Sequence, residues 1–317
     1  MAGAETPLRL GTRGSALALA QAKLVADAID GATEVVTIRT AGDEVSPGDS
    51  RAPAPVAGGD KARFVREIER ALIDGEVDLA VHSAKDLPTE LPGGLEIAGV
   101  PAREEPLDVF VGPAGSSSEI ADGARIGTSS PRRRAQLLAA APALEVVDIR
   151  GNVDTRMSKL ADGDYDGIVL AAAGLRRLGR GSEAAFAFGH EKLTPAAGQG
   201  CIAVEARSDD PGAMQVARAL TDQPAFDRLA CERAAVSALG ASCDTPVGAL
   251  ARIEGGRMVV TGFCGLPDGS EWIRDEVEVD AGNPEARGRE LAIRMSGAGA
   301  EDLLERAATM SRLGGAS

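Results

Sequence analysis

Apolar positions along the first third of the chain follow two alternating periods. Leu8-Arg9-Leu10 is a short strand pattern, closed by the turn Gly11-Thr12-Arg13-Gly14-Ser15. Leu17, Ala20, Leu24, Val25 and Ala28 then recur at the spacing of one helix face, which predicts a helix. A strand over residues 34–39 comes next. Residues 42–59 lack periodicity and are rich in Gly, Pro, Ser and Asp, long enough for a lid or a disordered loop. A helix over 61–74 and a strand over 77–81 complete the series. Such alternation indicates a parallel or mixed α/β sheet with crossover helices.

The pattern restarts after Pro101. It predicts a strand at 125–127 and a helix at 131–140, with Ser130 as N-cap and Pro131 in the first position. A strand at 145–149, a helix at 153–160 and an apolar strand at 167–172 follow, the last of the fully buried type. Two similar α/β units in one chain would place a cleft between them. From about residue 222 the style changes to a helix at 226–239 and strands at 247–253, 258–263 and 271–279. Gly255-Gly256 and Pro267-Asp268-Gly269 mark the turns between these strands. Two further helices, from about 285 and 299, close a small α+β region.

At 317 residues the chain is long enough for two domains of roughly 150 residues, or three if one is small. A composition of 44% hydrophobic and 26% charged residues is that of a globular protein. The longest central apolar run, from Gly167 to Leu175, is too short to cross a bilayer. The N-terminus, with Glu5, Arg9 and Arg13, lacks the apolar stretch of a secretion signal, so a cytoplasmic location without membrane contact is expected. The net charge of −14 argues against nucleic acid as a partner. Between Arg125 and Arg180, however, ten basic residues face six acidic ones, leaving −18 on the remainder. This segment is either a local anion site, because clustered charge focuses potential, or a set of basic helix faces.

Candidate chemistry gathers at strand-to-helix junctions. Gly11–Ser15, Gly127-Thr128-Ser129-Ser130-Pro131-Arg132-Arg133 and Arg150-Gly151-Asn152-Val153-Asp154-Thr155-Arg156 each combine a helix start, small polar side chains and arginine. Helix N-termini attract anions, and the guanidinium fork matches a carboxylate or phosphate. One such junction is ordinary capping. Three, with Arg176 and Arg177 beyond the next strand, suggest a ligand with several negative groups. Lys85-Asp86 follows a strand, where α/β sheets bind ligands, although spacing alone favours a solvated turn. His82 reads as a structural side chain. The four cysteines and two histidines show no zinc spacing, so no metal is expected. Cys243 lies in a loop pattern, whereas Cys201, Cys231 and Cys264 read as core residues.

Several strings together resemble the porphobilinogen deaminase (hydroxymethylbilane synthase) family. They are Thr12–Ala18, Val81-His82-Ser83-Ala84-Lys85-Asp86-Leu87-Pro88, Gly127–Arg133 and Arg150–Arg156, followed by Ala173-Gly174-Leu175-Arg176-Arg177-Leu178-Gly179, Pro195-Ala196-Ala197-Gly198-Gln199-Gly200 and Cys243-Asp244-Thr245-Pro246-Val247-Gly248. The resemblance implies two α/β domains like type II periplasmic-binding proteins with a central cleft, plus a small α+β C-terminal domain. Their expected bounds are 1–100 with 201–220, 101–200, and 221–317. It implies a monomeric transferase of tetrapyrrole (haem) biosynthesis that joins four porphobilinogen molecules head to tail, releasing ammonia. A dipyrromethane cofactor would be attached covalently to Cys243.

The resemblance assigns catalysis to Asp86 with Lys85. Asp86 would bind pyrrole N–H groups and stabilise the cation formed as ammonia leaves. Cofactor contacts would come from Ser15, Lys85, Asp86, Thr128, Ser129, Ser130, Arg132, Arg133, Arg150 and Gly151. Substrate contacts would come from Arg13, Arg156, Arg177 and Gln199. The chain departs from the family at Ala41, where arginine is frequent, and at 58–64, one residue longer than usual, so Lys61 is carried over only loosely. Asp244 replaces a frequent glutamine, and Arg134 and Arg176 adjoin motif arginines and could simply be solvated. The competing class is a binding module with the same two-lobed architecture and no chemistry.

Overall fold

The computed structural model describes residues 6–38, 59–242, 244–279 and 282–314. Residues 42–58 of the expected lid, Ala41 and Cys243 lie outside the described residues, as does the side chain of Lys61, while Gly59, expected to end the lid, opens a helix. Two compact units emerge: residues 1–103 with 201–226, and residues 104–200 with 227–317.

In chain order the first elements are β1 (Leu8–Arg13), α1 (Ala16–Asp27), β2 (Thr33–Ile38), α2 (Gly59–Ile73), β3 (Leu79–Ser83) and β4 (Leu95–Gly99). Then come β5 (Asp108–Val111), β6 (Arg125–Gly127), α3 (Pro131–Ala140), β7 (Glu145–Val147), α4 (Val153–Ala161), β8 (Gly167–Ala171), α5 (Ala172–Arg177) and β9 (Phe186–Ala187). The remainder is β10 (Ile202–Arg207), α6 (Pro211–Ala219), α7 (Gln223–Ala238), β11 (Val247–Glu254), β12 (Arg257–Gly265), β13 (Trp272–Val279), α8 (Pro284–Gly297) and α9 (Ala300–Gly314).

The first unit holds a five-stranded sheet in the order β2-β1-β3-β10-β4, and the second holds one in the order β7-β6-β8-β5-β9. The two orders correspond strand for strand. In each, the second strand lies parallel to both neighbours, and the fourth strand runs antiparallel to both of its own. The α/β pair expected from the alternation is therefore present as two mixed sheets of one topology. A third, antiparallel sheet, β11-β12-β13, is covered by α7, α8 and α9 through Cys231, Leu291, Met295 and Leu303, the expected α+β arrangement.

Both faces of the first sheet are buried. Leu10, Leu79, Val81 and Val204 meet α1 and α6 through Ala22, Val25 and Met214. On the other side Ile68 and Leu72 of α2 meet Val77 and Ala80. This is why β3, like the apolar β8, reads as a continuous hydrophobic run rather than an alternating one.

Several boundaries differ from the pattern-based expectation. β3 spans 79–83 rather than 77–81, because Asp78 is engaged before the ladder begins. Its carboxylate accepts from Arg9 N at 2.8 Å and from Arg9 Nη2 at 2.7 Å. Pairing then continues through His82 and Ser83, opposite Ala203 and Ile202 of β10. α7 begins at 223 rather than 226, since Asp222 caps it by accepting from Ala225 N at 2.8 Å. β4, β5, β9 and β10 are short segments that periodicity did not single out.

His82 belongs to a buried polar cluster. Its Nε2 lies 3.2 Å from the carboxylate of Glu205 on β10. Glu69 of α2, only 2% exposed, is close enough to feel both groups. Burial, reinforced by the negative charge of Glu205, pushes the Glu69 carboxyl up to about 7. A carboxyl raised on folding stabilises the native state fully below its ordinary value of 4.5, and that contribution is lost as pH rises through 7. Glu69→Gln should remove this loss, so between about pH 5 and pH 8 the variant's Tm gains progressively on the wild type. A pH-independent Tm difference would show that Glu69 does not titrate in that window.

Candidate functional site

In the first unit the expected residues sit beyond the carboxyl ends of β1 and β3, which are adjacent and parallel. Ser15 caps α1, its Oγ accepting from Ala18 N at 3.3 Å. Thr12 is fully buried and donates to Val81 O at 3.2 Å, tying the β1 turn to β3. Gln21 and Ser83 are hydrogen-bonded through their side chains at 2.9 Å. The Arg13 guanidinium lies over the Phe64 ring, 3.9 Å from its centroid, a cation–π contact. Its Nε is buried and has no hydrogen-bond acceptor among the described residues. Residues 84–86 form a single 3-10 turn directly after β3, and Ala84 N donates to Cys201 O at 3.1 Å. That turn presents Lys85 and Asp86, both half-buried, with Asp86 Oδ1 shielded from solvent.

In the second unit the expected residues follow the parallel strands β6, β7 and β8 in the same way. Ser130 caps α3 and accepts from Arg133 N at 3.4 Å, while its own N–H donates to Thr128 Oγ1 at 3.2 Å. Ser129 donates to Ile149 O, which joins this junction to the one carrying Arg150. At that second junction Asn152 is the cap, accepting from Thr155 N at 2.9 Å. Gly151 has φ +115°, and a Cβ there would stand 2.6 Å from Thr155 Cγ2, so only glycine fits. Arg150 is exposed, and Arg156 Nε donates to Gly151 O at 2.9 Å.

Arg177 donates to Gly200 O at 2.6 Å, whereas its neighbour Arg176 pairs with Glu104 at 2.9 Å. Arg134 donates to Val146 O. The two arginines that adjoin the motif are thus committed to structural partners.

Arg132 and Arg133 are buried, and both turn to a residue that pattern reading missed. Asp108, the fully buried first residue of β5, accepts from Arg132 Nη1 at 2.7 Å through Oδ2. Through Oδ1 it accepts from Arg133 Nη2 at 2.7 Å and Nε at 2.9 Å. Gln199 Nε2 donates to the same oxygen at 2.9 Å. Burial alone would push the Asp108 carboxyl up. The charges of Arg132 and Arg133 and the hydrogen bonds from Arg132 and Gln199 outweigh it, holding the group well below the usual carboxylate range. Arg132 Nε is buried without an acceptor among the described residues. The available signal was an aspartate opening the otherwise apolar Asp108-Val109-Phe110-Val111.

Glu232 was also missed. This buried carboxylate in α7 accepts from Gly198 N at 2.7 Å and Ala251 N at 2.8 Å, joining the loop before Gln199 to β11. Cys201, Cys231 and Cys264 are buried, and desolvation pushes the thiols of Cys231 and Cys264 up to about 12, far from reactive. No group of metal-ligating side chains occurs among the described residues. Chemically, the arrangement offers clustered guanidinium, hydroxyl and backbone donors for a polycarboxylate, with a carboxylate and an ammonium at the end of β3.

The family model of the porphobilinogen deaminase dipyromethane cofactor binding domain matches residues 8–215, and that of the porphobilinogen deaminase C-terminal domain matches residues 226–297. Porphobilinogen deaminase of Thermus thermophilus is 45% identical over 291 residues, covering 89% of this chain and 93% of the relative. That of a Roseiflexus species is 44% identical over 299 residues, covering 94% and 98%. Among solved structures, a periplasmic VFT2 domain of Bordetella pertussis BvgS is 16% identical, with a TM-score of 0.37 over 67% of this chain and 85% of that one.

Because Glu232 holds two backbone N–H groups with one charge, Glu232→Gln should cost roughly 1.5–3 kcal/mol of stability. Denaturant titration checks this, and an unchanged midpoint would remove Glu232 from the joint.

Proposed function

The chain belongs to the porphobilinogen deaminase family, and from that premise we propose how its residues divide the work of joining four porphobilinogen molecules into hydroxymethylbilane. Each pyrrole brings an acetate and a propionate, so the growing product gains two negative charges per ring. The observation that carries the assignment is the placement of cationic and hydroxyl groups beyond the carboxyl ends of parallel strands in both units. The buried Nε atoms of Arg13 and Arg132, which have no acceptor among the described residues, fit such a ligand, since a carboxylate would supply one.

Arg132, Arg133, Thr128, Ser129, Ser130, Arg150 and Gly151, with Ser15, are assigned to the dipyrromethane. Arg13, Arg156, Arg177 and Gln199 are assigned to incoming substrate. When bound, the dipyrromethane supplies the nucleophilic terminal pyrrole from which the chain grows. Asp86 is the catalytic carboxylate. It accepts hydrogen bonds from pyrrole N–H groups and offsets the positive charge that develops on the substrate methylene as ammonia departs. Lys85, its neighbour on the same turn, binds a substrate carboxylate. Cys243 is the attachment point, a reading supported by the burial of the other three thiols.

Three domains, 1–100 with 201–220, 101–200 and 221–317, are proposed on the strength of three sheets with separate cores. A cytoplasmic, monomeric protein completes the proposal. No described helix is long and apolar enough to cross a membrane.

Intact mass and peptide mapping test the attachment. Wild-type protein should be heavier than its chain by two linked pyrrole units, Cys264→Ala should carry the same adduct, and Cys243→Ala should carry none. Asp86→Asn should keep the adduct and lose about 10²-fold or more in kcat. Arg150→Leu and Arg156→Leu should each weaken substrate or primer binding by roughly 1.5–3 kcal/mol. Wild-type turnover in both leucine variants would displace the anion site from these junctions.

A further inference from the structure

We propose that Asp108 is a positioning residue for primer loading: by gripping Arg132, Arg133 and Gln199 in one buried fork, it fixes the guanidinium edge left for a pyrrole carboxylate. The inference rests on the reading of Arg132 and Arg133 as cofactor ligands and extends it to a residue that touches no ligand itself.

Three separate elements converge on this carboxylate: α3 through the arginines, β5 through Asp108 itself, and the loop before β10 through Gln199. Two guanidinium groups against one carboxylate leave a buried excess of one positive charge. An unbalanced buried cation is costly unless a counter-ion arrives. Arg132 Nη1 is shared between Asp108 Oδ2 and Thr194 O, both at 2.7 Å, whereas its buried Nε has no acceptor among the described residues. The fork therefore leaves a buried donor for which a ligand carboxylate would be the acceptor.

A second observation ties the fork to the chain that bears the cofactor. Gly248 of β11 lies five residues after Cys243. A Cβ at Gly248 would stand 3.2 Å from Arg132 Cδ and 2.6 Å from Thr194 O, the other acceptor of Arg132. Ala249 N donates to Pro195 O at 2.9 Å, so this contact is anchored by the backbone. The strand leaving the Cys243 loop thus packs directly on the arginine that Asp108 holds, and the spacing between tethered ligand and guanidinium depends on that seat.

The test compares Asp108→Asn with Glu232→Gln, a second buried carboxylate of the same unit, which accepts from the backbone N–H groups of Gly198 and Ala251. Both are made in cells unable to form porphobilinogen, incubated with porphobilinogen well below either Tm, and followed by intact mass. Asp108→Asn should load its adduct at least about tenfold more slowly than Glu232→Gln, as is typical when a group orienting a ligand-binding side chain is lost. In the fraction that does load, kcat should fall by a similar factor while KM for porphobilinogen stays within about twofold.

Equal loading rates, or an unaltered kcat per loaded molecule, would make Asp108 a purely structural counter-ion and overturn the proposal. If Asp108→Asn does not fold, Gly248→Ala, whose Cβ would press on Thr194 O, Pro195 O and Arg132 Cδ without removing charge, must show the same slow loading, and wild-type loading there overturns it. Absence of any adduct on the wild-type protein would instead defeat the underlying reading of the site.

Discussion

In the arginine-rich second unit, one buried carboxylate, Asp108, faces two guanidinium groups. Neither arginine could be buried alone, and Asp108 could not be ionised alone. Together with Gln199 the two arginines give the Asp108 carboxylate four hydrogen bonds in a place from which water is excluded. Elsewhere in the basic segment between Arg125 and Arg180, Arg176 is matched by Glu104, and Arg180 by Asp154 and Glu183. Arg156 and Arg177 each donate to a backbone carbonyl, of Gly151 and Gly200.

Much of this was readable from the chain. Helix α3 runs over the residues that its serine cap and N1 proline indicated, and the meander of β11 to β13 follows its glycine turns. The junction residues were legible because anion recognition uses few residue types in local strings. Asp108 and Glu232 were not legible, because their role is defined by partners 24 or more residues away in one case and 19 or more in the other. A lone acid in an apolar strand says that a partner must exist, not which one. The true start of β3 escaped for a related reason, since the engagement of Asp78 with Arg9 spans 69 residues. Periodicity reports which face is buried and is silent on such long-range pairings.

Both five-stranded sheets put their chemistry at the same end, beyond parallel strands, where chain reversal leaves side chains and helix starts exposed to a ligand. The divergence lies in what each end carries. The first sheet offers a carboxylate and an ammonium on one 3-10 turn, and the second offers arginines and capped hydroxyls. One topology used twice thus carries two different sets of polar groups at the ends of its parallel strands.

The position of β10 has a consequence for how the protein is made. β3 and β4 do not pair with each other, because each is hydrogen-bonded to β10, which lies between them. Synthesis from the N-terminus therefore leaves the first sheet with a missing rung until residue 207 has emerged, roughly a hundred residues after β4 is complete. During that interval two strand edges stand open to other chains, and the half that carries Lys85 and Asp86 can close only once the intervening half has been translated.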